Sequence, residues 1–289
     1  MQVRTLDTPI AHSAARAAEW IDRVRSQPAL ARVELHKMYQ GEAWAQAKLL
    51  AQEAASKGYD VQVLVASAGL GLQHIESLAV PYSATFAMNH VDSVATNTSH
   101  ARAWWKQITS ALGTGTLAAA TGHRGLLVLS ESYAKAMHDD LSALGERGGD
   151  LLMIGGAGEV VGIPRIPSDR SLRPALGGTT TSVTLRIARS WLSVTRLSPT
   201  QLVPLHDPDS ERHWKQWAHS VRREEIYNRT RTDDTLISSL INEMLAADQS
   251  LSATRALRRL RDSGFACEQG RFRELYKLQK VAHSAKQRQ

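Results

Sequence analysis

Cysteine is nearly missing from this chain: Cys267 is the single thiol in 289 residues. One thiol closes no internal disulfide, and no cysteine cluster exists to hold structural zinc. Long hydrophobic runs are missing too. The longest nearly apolar stretch, around residues 63–72, falls far short of the ~18 residues that a membrane-spanning helix needs. The N-terminal "MQVRTLDTPIAHSAARAAEW" has no apolar h-region and no signal-type cleavage pattern. Motifs that announce a chemistry are absent as well. There is no GxxxxGK[ST] loop, no HExxH and no GxSxG elbow. "GGAGEVVG" is not a dinucleotide fingerprint, because its glycines are wrongly spaced and Ile163-Pro164 follows where a helix should begin. The eleven histidines are scattered. No internal repeat or low-complexity segment stands out. These absences lead us to expect a soluble cytoplasmic protein with no metal, no cofactor and no membrane contact.

Hydrophobic residues make up 43% of the chain, enough for a sizeable core. The net charge is +7, and it is unevenly placed. From Ser252 onward there are ten Lys/Arg and three Asp/Glu, while the first 251 residues balance to zero. A neutral body with a basic end suggests a polyanionic partner, expected here to be double-stranded DNA. Pro199, Pro204 and Pro208 crowd "LSPTQLVPLHDPD" and break regular structure there. The expected division is therefore an α/β domain over residues 1–197 and a basic helical region over residues 210–289.

Before the prolines, strand and helix signals alternate. "VQVLVA", "GLLVLS" and "DLLMIGG" read as buried strands. "GEAWAQAKLLAQEAASKG", residues 92–112, residues 131–144 and "TTTSVTLRIARSWL" read as helices. The pattern predicts an α/β fold, a three-layer, mainly parallel sheet flanked by helices. After the prolines the chain reads as all helical. "SATRALRRLRDSGFACEQGRFRELYKLQ" resembles a helix-turn-helix, with Ser252 as N-cap and Gly264 ending the first helix. Leu257, Leu260, Phe265, Phe272, Leu275 and Leu278 should face inward. Arg255, Arg258, Arg271, Arg273 and Lys277 should face DNA.

In open α/β sheets ligands bind beyond the carboxyl ends of the strands. Those ends are "MYQGE", "SAGLGL", "SESY" and the long loop at residues 155–178. Gly69 and Gly71 would let the backbone turn tightly and approach a ligand. Tyr82 and Phe86 would offer flat faces to a base, and Tyr39, Ser67, Gly69, Thr85 and His90 complete the expected base-binding set. Asp92 and Glu131, with Asn89 beside the first, are the candidate catalytic groups. A carboxylate near a flipped nucleotide positions water and stabilises a cationic sugar. Both acids also fit the first turn of a helix, where the dipole favours them. Arg165, Arg170 and Arg173 suit phosphate contacts or ion pairs with Asp169 and Glu159, and the start of the helix at residues 179–181 offers N–H groups to an anion.

"SAGLGL…I…PYSATF" resembles the signature SAxxGL…I…PYxxTF of the uracil-DNA-glycosylase-like superfamily. That group includes the glycosylase-like part of archaeosine synthases. With its basic helical end, the chain is similar to bacterial anti-phage DNA glycosylases that excise hypermodified bases. The resemblance covers about the middle third of the chain. It implies base flipping, removal of a base such as glucosylated hydroxymethylcytosine from phage DNA, and an abasic product. The GQDPYH and HPSP motifs of uracil glycosylases are absent, although "PSDRSLRP" offers a position for the second. No catalytic carboxylate carries over, so Asp92 rests on placement. Two other readings stand beside this one. One is a transcription regulator with an α/β effector domain, which would need a dimer, whereas a monomer is expected here. The other is a base-exchanging transglycosylase.

Overall fold

The computed structural model describes residues 13–88, 90–194, 204–223 and 230–286. The chain divides into two compact units, residues 1–223 and 224–289. The first unit runs through α1 (Ser13–Arg25), β1 (Val33–Glu34), α2 (Leu35–Met38), α3 (Glu42–Ser56), β2 (Leu64–Ser67), β3 (Gly71–His74) and β4 (Leu78–Ala79). It continues with α4 (Thr98–Leu112), α5 (Leu117–Ala120), β5 (Arg124–Leu129), α6 (Glu131–Ala136), α7 (His138–Arg147) and β6 (Asp150–Gly155). It ends with β7 (Arg165–Ile166), α8 (Arg173–Leu176), α9 (Val183–Val194) and α10 (Pro208–Val221). The second unit holds β8 (Thr230–Arg231), α11 (Asp234–Ala247), α12 (Ala253–Asp262), β9 (Phe265–Ala266) and α13 (Gln269–Lys286).

The fold of the first unit is mixed α/β, and helix dominates. Its parallel sheet has the order β5-β6-β7. The strands are apolar at successive positions because both faces are buried. Leu127, Leu151 and Met153 join a core with Trp20, Trp104, Ile108, Leu141 and Leu144. The alternate residues Leu152, Ile154 and Ile166 join a second core with Ile187, Trp191 and Trp214. Period-two alternation thus sends neighbouring residues to opposite faces.

Three expectations change here. The mainly parallel sheet is smaller than anticipated, because β2 pairs antiparallel with β3 in a separate hairpin, Ser67 opposite Gly71. The apolar run of β2 does not reveal its partner, while the turn after it is tight, as Gly69 and Gly71 led us to expect. The helix expected from Asp92 begins at Thr98, capped by Asn97, whose side chain accepts from His100 N–H. The proline cluster does not separate the units. Trp214 and Ala218 of α10 share the core of Trp191, whose indole N–H donates to Leu205 O at 2.9 Å. That burial holds α10 in the first unit.

In the second unit Ile237, Ile241, Leu257, Leu260, Phe272 and Tyr276 form the core. Ser252 caps α12 by accepting from Arg255 N–H, and Gly264 follows the helix at φ +89°. Leu278, expected inside, is 65% exposed, and Tyr276 fills that role. Helical periodicity puts residue 276 on the Phe272 face and turns residue 278 away. Divided at the structural boundary, the charge is also less lopsided. The second unit has 12 Lys/Arg and 9 Asp/Glu, because acids of α11 and its flanks belong to it. Among the described residues no helix is long and apolar enough to cross a membrane.

Candidate functional site

Four segments meet at a cluster of hydroxyls. Tyr39 follows α2, Ser67 ends β2, Tyr82 follows β4, and Tyr133 stands on α6 just past β5. The Ser67 hydroxyl lies 2.6 Å from that of Tyr82, which lies 2.7 Å from that of Tyr39. Tyr133 hydrogen-bonds to the Ala68 backbone. Burial is the largest influence on all three phenols and raises each. Tyr39 lies above its ordinary value, Tyr82 well above it, and Tyr133 is pushed up to about 12. At neutral pH the cluster is therefore uncharged. It can donate and accept hydrogen bonds, but it is no general base.

The turn beside it is fully tied down. Ser67 Oγ accepts from Gly69 N–H at 3.2 Å and Leu70 N–H at 2.9 Å. The carbonyls of Ala68 and Gly69 accept from the indoles of Trp104 and Trp20, each at 2.7 Å. A Cβ at Gly69 would meet the Tyr82 ring at 2.5 Å, and one at Gly71 (φ +73°) would meet Thr109 Cα at 2.6 Å. The close approach expected of these glycines is thus to Tyr82 and to α4. Phe86 is 2% exposed, edge-on to Tyr133 at 5.1 Å and to Trp105 at 6.3 Å. It is a core residue and presents no face to a base. A half-buried indole, Trp44, lies 5.3 Å from the Tyr39 ring instead.

Thr85 N–H donates to Asp92 O, and Val94 N–H to Thr85 O, each at 3.0 Å. This pairing folds the segment carrying Asp92 back along the residues after Tyr82. The Asp92 side chain is 26% exposed and lies 3.8 Å from His90 Nδ1. Asp92 N–H donates to that same nitrogen at 3.1 Å. Asp92 belongs to a loop, so the helix dipole does not account for it. Asn89 lies outside the described residues. Glu131 does occupy the first turn of α6 and pairs with Lys135 at 2.5 Å. The Lys135 hydrogen bond and charge lower its pKa, with a smaller contribution from Arg165.

The arginine loop is partly satisfied from within. Arg165 Nε donates to Gly155 O at 2.5 Å, and Arg173 to Gly178 O at 3.4 Å. Arg170 is exposed. Asp169 pairs with Arg222 at 2.8 Å and accepts from Ser171 N–H and Oγ. The anion site expected at residues 179–181 is occupied by Glu42. Its Oε2 accepts from Thr179 N–H at 2.9 Å and Thr179 Oγ1 at 2.5 Å. Its Oε1 accepts from Arg186 Nε at 2.9 Å and Nη2 at 2.7 Å. Desolvation raises this carboxyl, but hydrogen bonds from Ser182, Thr179 and Arg186 outweigh it and hold it at about 2.

Tyr133, Trp44 and the Glu42–Arg186 pair escaped the sequence reading. "SESY" flagged the right loop for Tyr133, but nothing local identifies Arg186 as the partner of Glu42, 144 positions away. A separate groove of about 1050 Å³ is lined by His123, Glu159, Arg165, His206, Glu211 and Lys215, among others, and not by Tyr82, Phe86 or Asp92. Among the described residues no group of three or more His, Cys, Asp or Glu could hold a metal ion. Comparison with protein-family models, curated proteins and solved structures finds no match for this chain.

Proposed function

We propose that the first unit is the three-layer α/β body of a DNA N-glycosylase and that the second unit holds its duplex. The observation that carries this reading is the meeting of Tyr39, Ser67, Tyr82 and Tyr133 from four separate segments. An uncharged cluster of hydroxyls suits the polar edge of a nucleobase and the hydroxyls of a sugar attached to it. Phe86 has no part in stacking; Tyr39 and Trp44 supply the flat surfaces. Asp92, half-buried beside His90, is the group assigned to water. The bond from C1′ to the base nitrogen breaks and its electron pair leaves with the base. A water oxygen bonds to C1′, and the water proton passes to the Asp92 carboxylate. The resemblance around "SAGLGL" and "PYSATF" supports the same reaction, with glucosylated hydroxymethylcytosine of phage DNA as the substrate.

Duplexes carrying cytosine, hydroxymethylcytosine or its glucosylated form are incubated with the protein and then treated with alkali, which cuts abasic sites. Breaks confined to modified duplex are expected, and Asp92→Asn should abolish them while leaving DNA binding intact. Intact strands on every duplex would refute the glycosylase. The large groove favours one second reading, a DNA-binding regulator whose first unit takes a small effector there. Sequence-specific binding changed by a small molecule, with no breaks, would support that reading.

A further inference from the structure

The second unit sorts its basic residues into two sets. Arg271 donates to Asp234 at 2.6 Å and to Thr232 O at 3.1 Å. Arg261 donates to Cys267 O at 3.0 Å, and Arg255 to Ser250 O at 3.2 Å. These side chains bond to their own fold, with Arg261 half-buried and Arg255 and Arg271 still exposed. Arg273 and Lys277 are exposed and make no ion pair among the described residues. Arg258, 84% exposed, has only a loose 3.9 Å approach to Asp262, and Arg259 is exposed. From Ala253 to Lys286 there are nine Lys/Arg and three Asp/Glu.

We propose that α13 enters the major groove of duplex DNA and that Arg273, with Gln269 and Lys277 one turn to either side, reads base edges, so that the second unit selects a nucleotide sequence. Gln269, Arg273 and Lys277 recur at every fourth position and are all exposed, while Phe272 and Tyr276 hold the helix on α11 and α12. Spacing by four keeps them on one face. Arginine matches guanine O6 and N7 with two hydrogen bonds, and glutamine matches adenine N6 and N7. The start of α13 does not serve phosphate. The Glu268 carboxylate already accepts from Gly270 and Arg271 N–H, each at 2.8 Å, and its charge repels an anion. Strand contacts therefore fall to Arg258 and Arg259 on α12. Within the expected DNA-facing set, Arg255 and Arg271 also hydrogen-bond to their own fold, so base readout is assigned to the residues that do not.

The inference rests on duplex DNA as partner and not on base removal. The test uses the full-length protein and unmodified DNA, so a failure of the glycosylase reading leaves it standing, and the reverse. Duplexes bound by the protein are selected from a randomised pool and sequenced. One enriched motif containing a guanine is expected. Arg273→Ala should lose the preference at that guanine, weakening binding to the motif roughly tenfold or more. Its binding to random duplex should change little. Arg258→Ala and Arg259→Ala should weaken motif and random duplex alike, each reducing the salt slope by about 1. Thermal unfolding of Arg273→Ala should match that of the parent, since the side chain is exposed and makes no ion pair among the described residues. A pool that returns no motif, a motif preference unchanged by Arg273→Ala, or tighter binding to RNA or single strands would overturn the proposal.

Discussion

Glu42 takes hydrogen bonds from Thr179 and Arg186 on α3's own account, with both oxygens engaged. Its carboxyl falls from the ordinary 4.5 to about 2. A folded-state pKa below the unfolded one adds stability above the unfolded value and loses it as pH falls through the folded value. Glu42→Gln should therefore destabilise the protein at pH 7 by about 1–2 kcal/mol, discounted for a side chain partly open to water. Urea unfolding should show that gap closing as pH drops from 4.5 towards 2. A constant gap would mean that shape, not charge, matters at this position. The tyrosines have the opposite sign. Their raised values favour the neutral form, so the stability they add is full below pH 10 and lost as pH rises through their folded values. Part of the phenolate absorbance change should be held back until well above pH 10, and Tyr82→Phe should shrink that part. It should also cost about 1–2 kcal/mol, since Ser67 and Tyr39 lose a partner. That Tyr39, Ser67 and Tyr82 come together is legible in the sequence, because each sits at a strand end or after an obvious turn. Phe86 was misread because an aromatic after "SAT" looks the same whether it points to a ligand or into a core. Glu42 was overlooked because its partners lie far along the chain.

At the scale of elements, local signals carried well and pairings did not. Ser252, Gly264 and the apolar spacing of α12 mark that helix without any tertiary knowledge. The antiparallel β2–β3 hairpin was hidden, because a buried strand looks alike in either direction. Its turn depends on Trp20 and Trp104, which are distant in sequence. Gly264 offers a clean test of the turn between α12 and α13. Its φ is +89°, and nothing lies within 4 Å of where a Cβ would stand. Gly264→Ala therefore acts through backbone conformation alone, at about 1 kcal/mol. Cys267, 7% exposed in the core of the same unit, reports the opening. A thiol reagent should label it about fivefold faster in Gly264→Ala. Tryptophan emission should not change, and unchanged labelling would show that the turn tolerates alanine.

The whole molecule divides its reporters as cleanly as its cores. All seven tryptophans lie in residues 1–223, and the single cysteine lies in residues 224–289. The body has its own two cores, built among the described residues from residues of the first unit. A chain ending at Arg223 should therefore keep the tryptophan emission and the urea midpoint of the parent. Losing Arg258, Arg259, Arg273 and Lys277 removes the side chains assigned to the duplex. Each phosphate contact contributes about 0.9 to the slope of log affinity against log salt. The shortened chain should bind duplex far more weakly, with a slope lower by about two to four. The body keeps a net charge of +4, with 23 Lys/Arg against 19 Asp/Glu, so some salt-sensitive binding should survive. If the shortened chain bound with the full slope, the strand would be held by the body, and Arg165, Arg170 and Arg173 would become its first candidates. If it lost the parent's tryptophan emission, the two cores would depend on the second unit for their fold.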